Sequence, residues 1–504
     1  MKVKRLDTIP TVWPAWLSPA GKRLSHDRRS PLNFERHPRL SSQEQLRPFD
    51  VLILAAGLGT RMKSKKAKVL HELGGRPLIL HVVRKAKALQ PEKIYVVVGH
   101  QATEVEAVVR NDIGADSAAF VLQKEQRGTG DAVVAARHEL ENSDSTLLVL
   151  SGDVPFVRDE TLKKFIAFHR SNRAACSILS VRLENPTGYG RIVRDQEGAF
   201  VRVVEQKDAT TGEKLVREIN SGIYCFEAKK LFGALERVKP ANQQGEYYLT
   251  DVPGILLTEG EKVGVYLHND AREVSGINNR ADLAEFENLL RRATVRGLML
   301  EGVTFIDPSH AYISDEAHIG RDCVIYPDVL IEGTTVVGDG CVIRSGTRIS
   351  NSEIGDNVVI NDHCVIVDSR IEANCRVGPF ARLRPNTLLE EGSSVGNFVE
   401  MKSSRLGRRS KAMHLSYLGD ATIGEQTNIG AGTITCNYDG KQKHKTAIGD
   451  NVKIGSDTML VAPLTVGSDS VTGAGSVITK DVPPNSLVAG VPAVVKKKLK
   501  KSDK

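Results

Sequence analysis

Aromatic residues are scarce in this chain, 5% of 504 positions, while glycine is plentiful at 44. That balance points to many tight turns. No apolar run approaches the roughly 20 residues that cross a bilayer, and residues 1–48 lack the apolar core of a signal peptide. No stable membrane association is expected, and the expected compartment is the cytoplasm. The seven cysteines, at 176, 225, 323, 341, 364, 375 and 436, are odd in number and form no C-x-x-C pair. Neither a zinc site nor a disulfide framework is indicated, and the thiols read as small buried residues. The net charge of +8 suggests nucleic acid until it is located. Residues 1–48 carry +6 and the tail 496–504 (KKKLKKSDK) carries +5, which leaves −3 for the body. Basicity confined to the ends is read as solvated tails, so no nucleic-acid partner is expected.

At this length two or three domains are expected. Residues 1–48 read as a basic extension without periodicity. From Val51 to about Val265, apolar strand-like runs (VLILAAG, KIYVVVGH, STLLVLSGD, CSILSVRL) alternate with helical patterns (TEVEAVVRNDI, DETLKKFIAFHR). Such alternation predicts an α/β domain, Rossmann-like, with a mostly parallel sheet covered on both faces. Ligands bind such sheets at the carboxyl ends of strands. That rim holds LAAGLGTRM (54–62) and SGDVP (151–155). Gly57 and Gly59 permit close backbone approach, and Thr60 and Arg61 add donors suited to phosphate oxygens. The spacing is neither G-x-G-x-x-G nor a P-loop, so the loop alone is either a phosphate cradle or a tight strand-to-helix turn.

Beyond residue 300 the period becomes six. Aliphatic residues recur at Ile313, Ile319, Ile325, Ile331, Val337, Ile343 and Ile349, then in shifted phase at Ile354, Ile360 and Ile366, and again at Ile448, Ile454, Leu460 and Val466. This is the hexapeptide signature of a parallel β-helix, with the aliphatic pointing inward, glycine at the corners and three hexads per turn. The predicted layout is a nucleotidyltransferase domain over 49–278, a connecting helix over 279–302, a β-helix over 303–495 and a basic tail over 496–504. The six-residue phase breaks between Val395 and Ile423 and again over 433–446. Interruptions of a solenoid are expected to form loops, and loops carry sites.

The motifs LAAGLGTRM, KVLHELGGRP, LQKEQRGTGDA, PTGYGRI, VVEQKDA, EINSGIY, GEYYLTD and GINNR, followed by FARLRPNT, VGNFVEMKSS, KAMHLSYLGDATIGEQTNIGAGTITCNYDG and IGSDTMLVAP, make the chain from about 50 to 495 resemble a known family. It is the bacterial bifunctional N-acetylglucosamine-1-phosphate uridyltransferase and glucosamine-1-phosphate acetyltransferase. The resemblance implies a left-handed β-helix, a homotrimer and two reactions. Acetyl-CoA would acetylate glucosamine 1-phosphate, and the product would attack the α-phosphorus of UTP to give UDP-N-acetylglucosamine and pyrophosphate. For uridylyl transfer it implies a UTP and UDP-sugar site of Leu54, Ala55, Ala56, Gly57, Gly59, Lys68, Gln123, Gln126, Gly128, Thr129, Ser151, Asp153, Gly190, Glu205, Asn220 and Asn278. Within it Arg61 and Lys68 act on the phosphates, the two glutamines read uracil, and Gly190, Glu205 and Asn220 hold the amino sugar. Mg²⁺ would be bound by Asp153 and Asn278. For acetyl transfer it implies His414 as base, with Arg384, Lys402, Tyr417 and Asn428 on the sugar phosphate. Ala431, Asn437, Tyr438, Lys443, Ser456 and Ala474 would hold acetyl-CoA. Three departures stand out: Ser151 where many members have Tyr, Ala67 where Pro is usual, and LVAGVPAVVKKK without the Arg-bearing turn of some members. Two rivals remain at this point: a single-activity sugar nucleotidyltransferase whose coil serves assembly, and a non-catalytic subunit of nucleotidyltransferase-like fold.

Overall fold

The structure, a computed structural model, describes residues 48–498. The expectations for the N-terminal extension and the last six residues of the basic tail lie outside the described residues. In the first half, seven strands form the spine of one sheet: β1 Phe49–Leu54, β2 Ile94–Val98, β3 Ala119–Leu122, β4 Thr146–Ser151, β5 Cys176–Arg182, β6 Glu218–Glu227 and β7 Val263–His268. Their spatial order is β7-β5-β6-β4-β1-β2-β3. Neighbours run parallel except β6, which is antiparallel to both β4 and β5. Two short antiparallel strands, Arg191–Arg194 and Phe200–Val204, hang from β6. The apolar runs of β1, β2 and β4 are buried on both faces because helices cover both. Among these are α1 Leu78–Ala88, α2 Ala102–Ile113 and α3 Asp159–Asn172.

Helix α4, Arg280–Leu300, links the halves. Asn279 caps its start and Asp282 reaches back to the cap backbone, a reciprocal capping box. Near this end Phe286 stacks on Phe156 at 5.1 Å. At the far end Val295 and Leu298 join the core of the coil.

The coil is a left-handed parallel β-helix whose three sheets hold eight, ten and nine strands. Strands three apart in sequence pair in parallel, so Ile325, Ile343, Ile360, Val377, Val395, Ala412 and Ile429 form one inward ladder. All are buried, each worth roughly 1.5–3 kcal/mol for a full-sized aliphatic. The phase shifts in the sequence arise where a coil is one residue shorter, as between Ile349 and Ile354. Glycine's place at the corners has a different cause from turn conformation. A Cβ on Gly424 would lie 2.6 Å from the Gly449 carbonyl carbon on the next coil, so bare Cα atoms are required for coils to stack. Among the coil's non-glycine residues, left-handed backbone falls mostly to Asp and Asn, such as Asp322, Asn357 and Asn374.

Two expectations need correction. The phase break between Val395 and Ile423 is not a loop: Leu406, Ala412 and Leu418 occupy the aliphatic places of ordinary coils. Only the second interruption protrudes, as a hairpin in which Tyr438 pairs with Lys443. At the end of the coil, strand Ala493–Lys498 pairs antiparallel with Ser486–Gly490 and carries three lysines of the stretch read as tail.

Candidate functional sites

Parallel register aligns Leu54 with Ser151, so β1 and β4 end side by side. Beyond β1 the chain turns through Gly57 and Gly59. Gly59 is left-handed (φ 63°), and a Cβ there would lie 2.5 Å from Lys68 Cβ. Gly57 has nothing within 4 Å and faces open space. The glycine loop thus leans on Lys68, at the start of a short helical turn. Lys68 Nζ is ion-paired to Asp153, both side chains being largely sheltered. Arg61 Nη2 donates to Asn278 Oδ1 at 2.8 Å. Asp153 and Asn278 flank one turn: Ile277 N donates to Asp153 O at 3.0 Å, and Asn278 Nδ2 donates to Gly276 O at 3.1 Å. Four residues from four separate segments therefore form one alternating cluster of two cations and two hard oxygen donors.

Next to it, Gln126 Nε2 donates to Ala56 O at 2.8 Å, tying the glycine loop to the segment before Gly128. Gln123 is buried and its amide donates to Asp131 Oδ2 at 2.9 Å. Gly128 must be bare, since a Cβ would lie 2.5 Å from Tyr247 O. Thr129 Oγ1 accepts from Leu249 N at 3.0 Å. Ala67 N donates to Gln101 Oε1 at 2.6 Å, a bond that proline at this position forgoes. Gly222 is left-handed at φ 80°, and a Cβ there would lie 3.1 Å from Ser151 Oγ, so the two residues are close neighbours.

A second wall is built by the two hanging strands. Asn220 N donates to Gly190 O at 2.9 Å, and Asn220 Nδ2 donates to Tyr224 Oη at 2.6 Å. The face of Gly190 lies against the Glu205 carboxylate. Burial pushes the Glu205 carboxyl upward, Thr250 opposes this by hydrogen bonding, and Asp208 and Asp251 add to the rise. The sequence reading passed over Tyr189 and Thr250, although both lie in motifs it quoted. The half-buried Tyr189 phenol lies beside Ser275 and Gly276 and so joins this wall to the Asp153 turn.

On the coil, Arg384, Lys402, Tyr417 and Asn437 come from successive rungs of the ten-stranded sheet. Arg384 Nη1 donates to Glu400 Oε1 at 2.8 Å. The Lys443 ammonium, reaching in from the hairpin, holds Lys402 below the usual lysine range, with Arg384 adding to the effect. Asn437 Nδ2 donates to Asp420 Oδ2 at 2.5 Å. The Tyr417 hydroxyl and the Asn437 amide both border Gly419, within 2.8 Å of where a Cβ would stand. His414 ends a strand of the eight-stranded sheet, paired with Asn397. Its imidazole is exposed and has no hydrogen-bond partner among the described residues. Asn428 lies one rung above Lys411, and Tyr438 is exposed with its hydroxyl on Gly440 O at 2.7 Å. Ala431, Ser456 and Ala474 climb one corner column: Asp457 N donates to Ala431 O at 2.6 Å and Gly475 N to Ser456 O at 2.8 Å.

A doubly covered sheet with an open glycine loop at its carboxyl rim, followed by a hexapeptide coil, defines a nucleotidyltransferase fused to a hexapeptide transferase. Residues 51–243 match the MobA-like NTP transferase domain, residues 308–389 the GMPPB C-terminal domain, and residues 445–480 the bacterial transferase hexapeptide (six repeats). The chain is 48% identical over 439 residues to the bifunctional protein GlmU of Syntrophomonas wolfei, covering 87% of this chain and 96% of that one. It is 49% identical over 436 residues to the GlmU proteins of Pelobacter propionicus and Heliobacterium modesticaldum, covering 86% of this chain and 94% of each. The chain belongs to the bifunctional GlmU family. Both transferase activities, of uridylyl and of acetyl groups, are therefore its own.

Proposed function

We propose that the Arg61, Lys68, Asp153 and Asn278 cluster performs uridylyl transfer from UTP to N-acetylglucosamine 1-phosphate, and that the rungs around His414 acetylate glucosamine 1-phosphate. The observation that carries the first assignment is the convergence of two cations with two oxygen donors beside an open glycine loop. The open face at Gly57 lets backbone N–H groups approach the triphosphate, and Lys68 and Arg61 neutralise charge that grows on the departing pyrophosphate. The sugar phosphate is already an anion at neutral pH, so alignment replaces a general base. Gly190, Glu205 and Asn220 fix the sugar.

Mg²⁺ suits the donor set. Such ions take one or two protein oxygens beside substrate phosphates, and the Asp153 and Asn278 side-chain oxygens each already accept from a cation. These two residues would hold the ion, which when bound supplies further charge neutralisation on the phosphates.

In the coil, the amine of glucosamine 1-phosphate attacks the acetyl carbonyl carbon of the thioester, His414 takes the proton that the nitrogen loses, and the C–S bond breaks to release coenzyme A, whose thiolate receives that proton. Arg384 and Lys402 form the subsite for the anionic sugar phosphate, with Tyr417 and Asn428 beside it. The corner column of Ala431, Ser456 and Ala474 supports acetyl-CoA, together with Asn437, Tyr438 and Lys443. The working assembly is a homotrimer. Its support is a surface ladder on successive coils, His363, Phe380 and Phe398, with ring centroids 5.2 and 5.3 Å apart. The next rung is Leu415, adjoining His414. Phe380, Phe398 and Leu415 are 46%, 58% and 62% exposed, and all four residues hold left-handed backbone, a strained state for such side chains. A second copy laid on this ladder would wall in His414. Because UTP and acetyl-CoA are intracellular metabolites, the cytoplasm is the assigned compartment.

The test follows thiol release from glucosamine 1-phosphate and acetyl-CoA, and in separate assays pyrophosphate release from UTP and supplied N-acetylglucosamine 1-phosphate, in wild type, His414→Ala and Lys68→Ala. His414→Ala is expected to lose thiol release by about 10²–10⁴-fold while retaining pyrophosphate formation, and Lys68→Ala the reverse. Loss of both reactions in either variant refutes the two-site assignment.

A further inference from the structure

Among the described residues, the largest fully buried side chain is charged. Arg191 is 1% exposed and lies beneath the sugar wall. Its Nη1 donates to Tyr189 O and its Nη2 to Gln206 Oε1 at 2.6 Å, while Nε is buried without a partner. The same Gln206 oxygen accepts from Gly188 N at 3.2 Å. Gln206 and the guanidinium thus tie the turn Gly188–Tyr189–Gly190 to the end of the neighbouring strand, where Glu205 stands. Arg191 also pairs with Ile219, next to Asn220. Burying a guanidinium is unfavourable unless it is paired and hydrogen-bonded, and a stabilising role alone is filled as well by an apolar side chain. The carboxylate that acts on Arg191 is Glu205, whose charge is otherwise disfavoured by burial and by Asp208 and Asp251.

We propose that Arg191, braced by Gln206, is a positioning residue for sugar recognition: it fixes the Gly190 turn against Glu205 and Asn220, so that the three sugar contacts form one rigid wall. This rests on the reading that places the amino sugar against Gly190, Glu205 and Asn220. Arg191 itself, being enclosed, touches neither substrate. Its loss should appear in the recognition of one substrate only.

The experiment measures uridylyl transfer by the full chain, varying N-acetylglucosamine 1-phosphate and UTP separately, in Arg191→Lys, Gln206→Met and Glu205→Gln. Thermal melting of the first half and the KM for UTP report that each chain has folded there. Arg191→Lys keeps the charge and loses the fork. Gln206→Met keeps the volume and removes the acceptor, and it decides the matter if Arg191→Lys does not fold. Both are expected to raise KM for the sugar phosphate about tenfold, the scale of a charge-assisted hydrogen bond, with KM for UTP within about twofold. Preference over glucose 1-phosphate should fall in parallel. A raised sugar KM in Glu205→Gln with none in the other two overturns the proposal alone. No change in Glu205→Gln refutes the sugar pocket itself, and the proposal with it. Equal losses for both substrates, with lowered thermal stability, make Arg191 merely structural and also overturn it.

Discussion

The two halves assemble their proposed sites by opposite means. In the first, Arg61, Lys68, Asp153 and Asn278 come from four segments spread over more than two hundred residues, and one ion pair, one hydrogen bond from a guanidinium to an amide oxygen and the backbone bond from Ile277 to Asp153 hold them together. In the coil, Arg384, Lys402, Tyr417 and Asn437 stand on successive rungs, placed by the strand register itself. A site built by convergence fails through its own few contacts, whereas a site built by register inherits the stiffness of the whole ladder. If that contrast is real, damage to the ladder should stay within the coil. Ile360→Ala empties a central, fully buried place, with an expected loss of about 2–5 kcal/mol. Chemical denaturation should show the coil transition moving while uridylyl transfer, assayed below it, is unchanged. A parallel fall in uridylyl transfer would mean the halves are one cooperative unit.

Legibility follows the same contrast. The coil is readable because one inward aliphatic per hexad is a local rule, and its phase shifts arise from coils one residue shorter and from the inserted hairpin around Tyr438 and Lys443. What misled was treating the stretch from Val395 to Ile423 as a loop. Ala412 fills a place that a search for Ile, Leu and Val passes over, yet the backbone there is regular. In the first half, strand order around β6 and the pairing of Lys68 with Asp153 are long-range facts with no local signature, and only the resemblance named those residues. Arg191 was passed over because an arginine in a strand reads as exposed, and nothing local shows that it is buried.

The next largest effect concerns the exposed ladder, which should make the register-built site depend on a second copy. Phe398→Glu places charge on an exposed stacked ring and leaves the coil interior untouched. Sedimentation should show dissociation, and acetyl transfer should fall at least about tenfold, since an interface anchor contributes 2 kcal/mol or more. Uridylyl transfer should not change. A monomeric variant with full acetyl transfer would show that His414 is complete within one chain.

The convergent site can be sharpened through its two glycines. In Gly59→Ala the new methyl meets Lys68 Cβ at 2.5 Å on left-handed backbone, displacing Lys68 from Asp153. Strain of about 1–3 kcal/mol should lower uridylyl transfer roughly tenfold or more, along with thermal stability. Gly57→Ala meets nothing within 4 Å, so stability should be unchanged and any loss confined to KM for UTP. A Gly57→Ala protein with wild-type KM would mean that the triphosphate does not approach this face.

The smallest effect lies where the halves meet. Arg84 pairs with Asp112 at 2.5 Å and with Glu316, on the coil side, at 2.9 Å. Its hydrogen bonds hold both carboxyls below their usual range. Carboxyls depressed in the folded state bind fewer protons than in the unfolded chain, so the stability they add is present above their ordinary pKa values of 3.8 and 4.5 and disappears as pH falls through the folded values. Arg84 is 41% exposed and Glu316 36%, and solvent screening limits the contribution to under about 1 kcal/mol. Arg84→Met should therefore melt slightly below wild type at pH 7, and the gap should close as the pH drops below about 4. A gap that persists in acid would assign the loss to the packing of the arginine stem rather than to its charge, and the ionic part of the junction would then rest on the Arg76 pairs with Asp315 and Glu316.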